Sequence, residues 1–136
     1  MRPCVRDERG QVTTLFVLMV LGALFATAGL VIDGGQKVTA TTLAESVAAG
    51  AARAAGNAAA TQQLGGHDPA GAAVLAAKAY LAGQPSVRGS ASVSDGVVTV
   101  NTSSSADTVF LSALGIDTVT GTGSARASVV PTRRPR

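Results

Sequence analysis

The sequence predicts an α+β protein, in which a long N-terminal helix, half in a membrane and half exposed, packs on a small antiparallel β-sheet. Three observations predict it. An uncharged apolar run extends from Val12 to Ile32. An Ala-rich stretch with helical spacing follows, from about Gln36 to Gln63. The distal part then alternates apolar and polar residues around an Asp-Gly turn.

The apolar run sets the organisation. Its 21 residues span roughly 32 Å at the α-helical rise, about the hydrocarbon thickness of a bilayer. The chain therefore divides into a basic leader (1–11), a transmembrane helix (12–32), an extracytoplasmic domain (33–130) and a disordered tail (131–136). Arg2, Arg6 and Arg9 precede the run, and only Lys37 follows it closely. The positive-inside rule then puts the N-terminus in the cytoplasm and the C-terminal domain outside. Asp33 is a charge at the outer membrane boundary and stops the apolar run.

Beyond the Gly34-Gly35 pair, where the helix has a place to kink, Ala dominates, and Ala is the best helix former. Leu43, Val47, Ala51 and Ala55 share one face, with Thr42, Glu45, Ser46, Arg53 and Asn57 beside it. Small residues recur four apart at Gly22 and Ala26 and at Gly50 and Ala54, a spacing that lets helices approach closely.

Asp68-Pro69 starts a second helix: the carboxylate caps exposed amides and Pro suits the first helical position. Val74, Leu75, Tyr80 and Leu81 supply its apolar contacts, and Gly83 ends it. Val87, Gly89, Ala91 and Val93 then alternate with polar residues up to Asp95-Gly96, a two-residue hairpin turn. Folding there pairs Val93 with Val98 and Ala91 with Val100, so pattern and register agree. A short helix is expected over Ala106–Leu114, capped by Ser105, with Phe110, Leu111 and Leu114 as anchors. The last strand, Thr118 to Val130, puts Val119, Gly121, Gly123, Ala125, Ala127 and Val129 on one face. That face of small residues admits an Ala-rich helix closely.

Composition excludes several functions. Cys4 is the only cysteine, so neither an internal disulfide nor a multi-Cys metal site can form, and it lies before the apolar run rather than after it as in lipoproteins. The net charge of +3 comes entirely from Arg133, Arg134 and Arg136, and no basic patch carries interleaved aromatics, so nucleic acid is not an expected partner. His67 is the single histidine, in a Gly-Gly-His-Asp-Pro loop. The carboxylates Asp33, Glu45, Asp68, Asp95, Asp107 and Asp117 each have a local explanation in capping, turns or a solvated face. No catalytic site, metal site, cofactor or small-molecule substrate is read from these residues, and no enzymatic role is expected.

Residues Gly10 to Gly56 resemble the N-terminal segment of TadE/TadG-like proteins of Flp-type (tight adherence) pilus systems. A basic residue and Gly precede an apolar helix that ends in a GL-x-x-D element, here Gly29 to Asp33, and an Ala-rich helix follows. The closing stretch Gly115–Ala127 also resembles the last strand of small members of that group. The resemblance implies a pilin-like fold and a membrane-anchored, pseudopilin-like protein. Its role would be structural or accessory, in assembly or anchoring of an adhesive pilus, with other pilus-assembly or pilin subunits as partners through helix packing. It also implies leader removal by a prepilin peptidase after Gly10, leaving Gln11 first. Pilins and many pseudopilins carry Glu five residues after the cut, and this chain has Leu15, which equally fits a retained leader. A competing reading takes Ala26-Thr27-Ala28 as a signal-peptidase site, with cleavage after Ala28 releasing a small secreted binding domain.

Overall fold

The computed structural model describes residues 8–129. The first seven residues, with Cys4, and the tail from Val130 onward lie outside the described residues.

One helix, α1, runs unbroken from Glu8 to Leu64, through the Gly34-Gly35 pair. A second, α2, spans Pro69–Ala82. Three strands follow: β1 (Val87–Ser94), β2 (Val97–Asp107) and β3 (Thr118–Ser128). They form one antiparallel sheet in the order β1-β2-β3. The architecture is thus the expected α+β, pilin-like layout, with the C-terminal half of α1 laid along a small sheet.

Local chemistry explains most of the element boundaries. Asp68 caps α2 by accepting from the Ala70 N–H at 3.1 Å, and the helix closes at Gly83, where the Gly83 N–H donates to the Tyr80 carbonyl and the Gln84 N–H to the Leu81 carbonyl. At the β1–β2 turn Asp95 and Gly96 both take positive φ, 50° and 74°, the type I′ geometry that matches strand twist. The register is the expected one, Val93 opposite Val98 and Ala91 opposite Val100. On the β2–β3 side the ladder runs from Val97 opposite Ser128 to Asp107 opposite Thr118.

The core is built of small side chains. Val47, Ala48, Ala51, Ala55 and Ala59 of α1 meet Ala73, Ala77 and Leu81 of α2 and Val87, Val98 and Val100 of the sheet. The strand face of small residues sets how close α1 comes. A Cβ on Gly121 would lie 2.1 Å from the Thr41 nitrogen, and one on Gly123 would lie 2.5 Å from the Glu45 nitrogen. Glycine here lets the helix backbone rest directly on β3. Side-chain clasps hold the same contact along its length. The Lys37 ammonium donates to the Thr120 carbonyl, the Thr102 hydroxyl donates to the Ala44 carbonyl at 2.7 Å, and the Gln63 amide donates to the Val129 carbonyl.

Three local expectations are corrected. Leu43 faces outward: the inner face is Ala40, Ala44, Val47, Ala48 and Ala51, because a Leu between helix and Gly121 would hold the backbones apart. Leu75 is 70% exposed, and Ala73 and Ala77 carry the buried face of α2. No α-helix forms over Ala106–Leu114. Pairing with β3 extends β2 through Ser105 and Ala106 to Asp107, and only a 3-10 turn remains at Leu111–Leu114. The long-range ladder overrides a local capping signal at Ser105.

Candidate functional site

The apolar half of α1 and the domain meet at Asp33, where a buried carboxylate joins them. Asp33 is 2% exposed. Its Oδ1 accepts from the Val109 N–H at 2.8 Å, and its Oδ2 accepts from Phe110 at 3.1 Å and Leu111 at 2.6 Å. Three consecutive amides of the β2–β3 loop thus converge on one carboxylate, the geometry by which a side chain caps a helix start. The carboxyl is held below its ordinary value. The Val109 N–H is the largest cause, burial pulls the other way, and the Leu111 and Phe110 N–H groups add to the lowering. Asp33 is therefore a buried anion satisfied by backbone, and it fixes the loop to α1.

One turn nearer the N-terminus the same loop makes a second contact. A Cβ on Gly29 would fall 2.5 Å from Cγ of Phe110, so the Phe110 side chain occupies the space beside the bare backbone of Gly29. One turn in the other direction is the Lys37 clasp to Thr120. Gly29, Asp33 and Lys37 form a row at four-residue spacing, docking in turn the loop ring, the loop amides and the start of β3.

The opposite side of α1 is bare. Val31, Gly35, Val38 and Thr42, spaced four, three and four apart, are all exposed and face away from the sheet. Val38 is 65% exposed and borders a shallow groove with Thr39, Thr42, Leu43 and Ser46. This face continues the exposed apolar surface of residues 12–32 without a break in the helix. By length and composition α1 is long and apolar enough to cross a membrane.

The other sequence-predicted positions are distributed as follows. Gly10 and Gln11 are exposed in the first turns of α1, and Ala26 and Ala28 are exposed in its apolar half. Gly22 has open space where a Cβ would stand. Gly50 is taken by α2 of the same chain, because a Cβ there would meet the Tyr80 hydroxyl at 2.3 Å; Ala54 beside it is half-buried. His67 is exposed near Gly65, and Asp68 and Asp95 serve the cap and the turn. Among the described residues no group of three His, Cys, Asp or Glu side chains could hold a metal ion.

Comparison with family models, curated proteins and solved structures finds no match to this chain.

Sequence reasoning missed the partners of Asp33. It took the residue for a stop to the apolar run, whereas the carboxylate binds amides 76 to 78 positions away. A signal was present in the spacing of Gly29 and Asp33, which puts a bare backbone patch and a carboxylate on one helix face.

Proposed function

We propose that this protein is a single-pass, membrane-anchored structural subunit or accessory factor of an envelope assembly, of the TadE/TadG-like kind that serves Flp-type pili. Its N-terminus lies in the cytoplasm and its domain outside, and it works through helix packing rather than catalysis. The observation that carries this reading is the two-sided helix. One face of α1 is spent on its own sheet, while Val31, Gly35, Val38 and Thr42 on the other face stay bare and run into the apolar segment. A continuous helix that is free on one side from membrane to domain is shaped to meet another helix over both zones. The basic leader and the GL-x-x-D element add support.

Two measurements test it. Intact mass of the mature protein in membrane and medium fractions comes first. A membrane-bound chain, full-length or beginning at Gln11, is expected, and a Gln11 start identifies the pseudopilin route. A soluble chain beginning at Gly29 overturns the reading in favour of a secreted binding domain. Second, in a Cys4→Ser background, Val38→Cys is expected to form disulfide-linked adducts in membranes, with itself or with an assembly subunit. Ser124→Cys on the outer sheet face should give none. Equal cross-linking at both sites would refute an interface confined to the bare face of α1.

A further inference from the structure

The β2–β3 loop, Thr108 to Asp117, lies at the membrane-proximal end of the domain. β3 runs alongside α1 in the same direction: Gly121 sits on Ala40 and Thr41, Gly123 on Ala44 and Glu45, and Ala127 near Gly56. The loop that precedes β3 therefore lies beyond Ala40 on the side of the span, and Asp33 holds it there. Phe110 reaches farther, to Gly29, four residues inside the boundary charge. At the helical rise that is about 6 Å toward the hydrocarbon.

The loop's composition suits that depth. Residues 108–116 carry no charge, and Asp107 and Asp117 flank them at the neck, where the Thr108 N–H donates to the Asp117 carbonyl at 3.0 Å. Its apolar side chains are largely uncovered: Leu114 is 77% exposed, Val109 58% and Ile116 48%. Its backbone is largely satisfied from within. Three amides go to Asp33, and those of Thr108, Ala113, Gly115 and Ile116 go to carbonyls of the same loop. Lipid-exposed irregular backbone is excluded from the hydrocarbon core, so a loop with most of its amides paired suits the headgroup–acyl boundary and nothing deeper. The Asp33 charge is turned inward onto those amides, and the Lys37 ammonium one turn above donates to the Thr120 carbonyl.

From this geometry we infer that the β2–β3 loop seats in the outer headgroup–acyl boundary, with Val109, Leu114 and Ile116 in contact with lipid. The domain then has a second membrane contact that fixes the tilt and rotation of the sheet about α1. This inference rests on residues 12–32 crossing the membrane. The occupant is a lipid surface because the loop is continuous with the span through Phe110 on Gly29 and through Asp33.

The chain has no Trp, so a single introduced Trp reports one position. Leu21→Trp in the span, Leu114→Trp at the loop tip and Leu75→Trp on α2 are each placed in the full-length protein. The proteins are reconstituted in phosphatidylcholine–phosphatidylglycerol vesicles with acyl chains brominated either near the headgroup end, to read the loop and α2, or near the chain terminus, to read Leu21→Trp at mid-span. Leu114→Trp is expected to show blue-shifted emission and to lose most of it in the brominated vesicles. Leu75→Trp is expected to keep its water-like emission. Water-like, unquenched emission at Leu114→Trp, with Leu21→Trp quenched, places the loop in solvent and overturns the inference. Blue-shifted emission at Leu114→Trp that lipid bromines do not quench means that another protein surface covers the loop, and overturns it equally. Quenching at Leu75→Trp as strong as at the loop lays the whole domain on the bilayer and removes the special role of the loop. Absence of quenching at Leu21→Trp defeats the spanning reading itself, and the inference with it.

Discussion

Replacing Gly121 by Ala probes how closely α1 rests on the sheet. In an ordinary strand the exchange is favourable, since Ala loses less conformational freedom on folding than Gly, by roughly 0.5–1 kcal/mol. Here the new Cβ would stand 2.1 Å from the Thr41 nitrogen and 2.3 Å from the Ala40 carbonyl carbon. Non-bonded carbon needs about 3.5 Å, so helix and strand must separate by about 1.3 Å. The obstacle is backbone, so no side chain can swing aside to relieve it. The separation also loosens Ala44 and Ala48, which are fully buried against the sheet and α2. Overpacking of this kind costs about 1–3 kcal/mol, and an unyielding backbone contact puts Gly121→Ala near 3 kcal/mol. For a domain of this size each kcal/mol moves the midpoint by roughly 4–8 °C, so Tm should fall by about 12–24 °C. Far-UV circular dichroism of the full chain in detergent micelles follows the loss, read on the sheet and outer helix while the apolar half stays helical. Gly56→Ala is the matched comparison. Its Cβ would meet only the Ala127 Cβ at 3.8 Å, ordinary contact. Relief of a mid-helix Gly should therefore raise stability by about 1 kcal/mol. The same exchange is thus expected to act with opposite signs at two positions. A Gly121→Ala protein that melts at or above the native midpoint would refute the close approach.

Further outcomes follow from the boundary and the caps. The Asp33 carboxyl titrates below its ordinary value of 3.8, so the stability it contributes is complete above that pH and is lost as pH falls through the lower folded value. Asp33→Asn should therefore lower Tm at neutral pH, and the gap to the native protein should narrow as pH drops below 3.8; a gap that stays constant would deny the ionised carboxylate its role. Asp68→Ala removes the side-chain acceptor at the start of α2 and should cost about 1 kcal/mol, read as faster amide exchange at Ala70 and Gly71. Thr102→Val keeps the buried shape but deletes the donor to the Ala44 carbonyl, at an expected cost of about 1 kcal/mol in thermal melts.

What was legible in the sequence was local. The β1–β2 register followed from Asp95-Gly96 and the alternation on either side of it, because a two-residue turn leaves one alignment in which the apolar faces coincide. The ends of α2 followed from Asp68-Pro69 and Gly83, whose effects act within one turn. The small face of β3 followed from Gly121, Gly123, Ala125 and Ala127, because period-2 spacing makes a face visible in one dimension. The errors arose where a distant partner decided between local options. Ser105 and Asp107 carry the marks of a helix start, yet they lie opposite Thr120 and Thr118 in the ladder. The alternation of Val98, Val100, Thr102, Ser104 and Ala106 was the competing signal, weak because its inner positions turn polar toward the C-terminal end of β2. Buried Thr102 and Ser104 find carbonyl partners at Ala44 and Ser86, which no reading of β2 alone supplies.

The junction at Asp33 follows the same logic and bears most directly on function. A carboxylate after an apolar run has two physical outcomes: hydration at the interface or capture by internal donors. In this chain the second wins, because three loop amides at 2.6 to 3.1 Å replace water around a side chain that is 2% exposed. The consequence is mechanical. A helix joined to its domain only by hydrophobic contact could slide or rotate against it, since Ala-on-Gly packing offers few large side chains to interlock. The Asp33 carboxylate and the Phe110 ring on Gly29 add two directional contacts one turn apart, and two such contacts fix both height and rotation. That is the condition under which the bare face of α1, Val31 through Thr42, points in one defined direction relative to the sheet, as the proposed role in assembly requires.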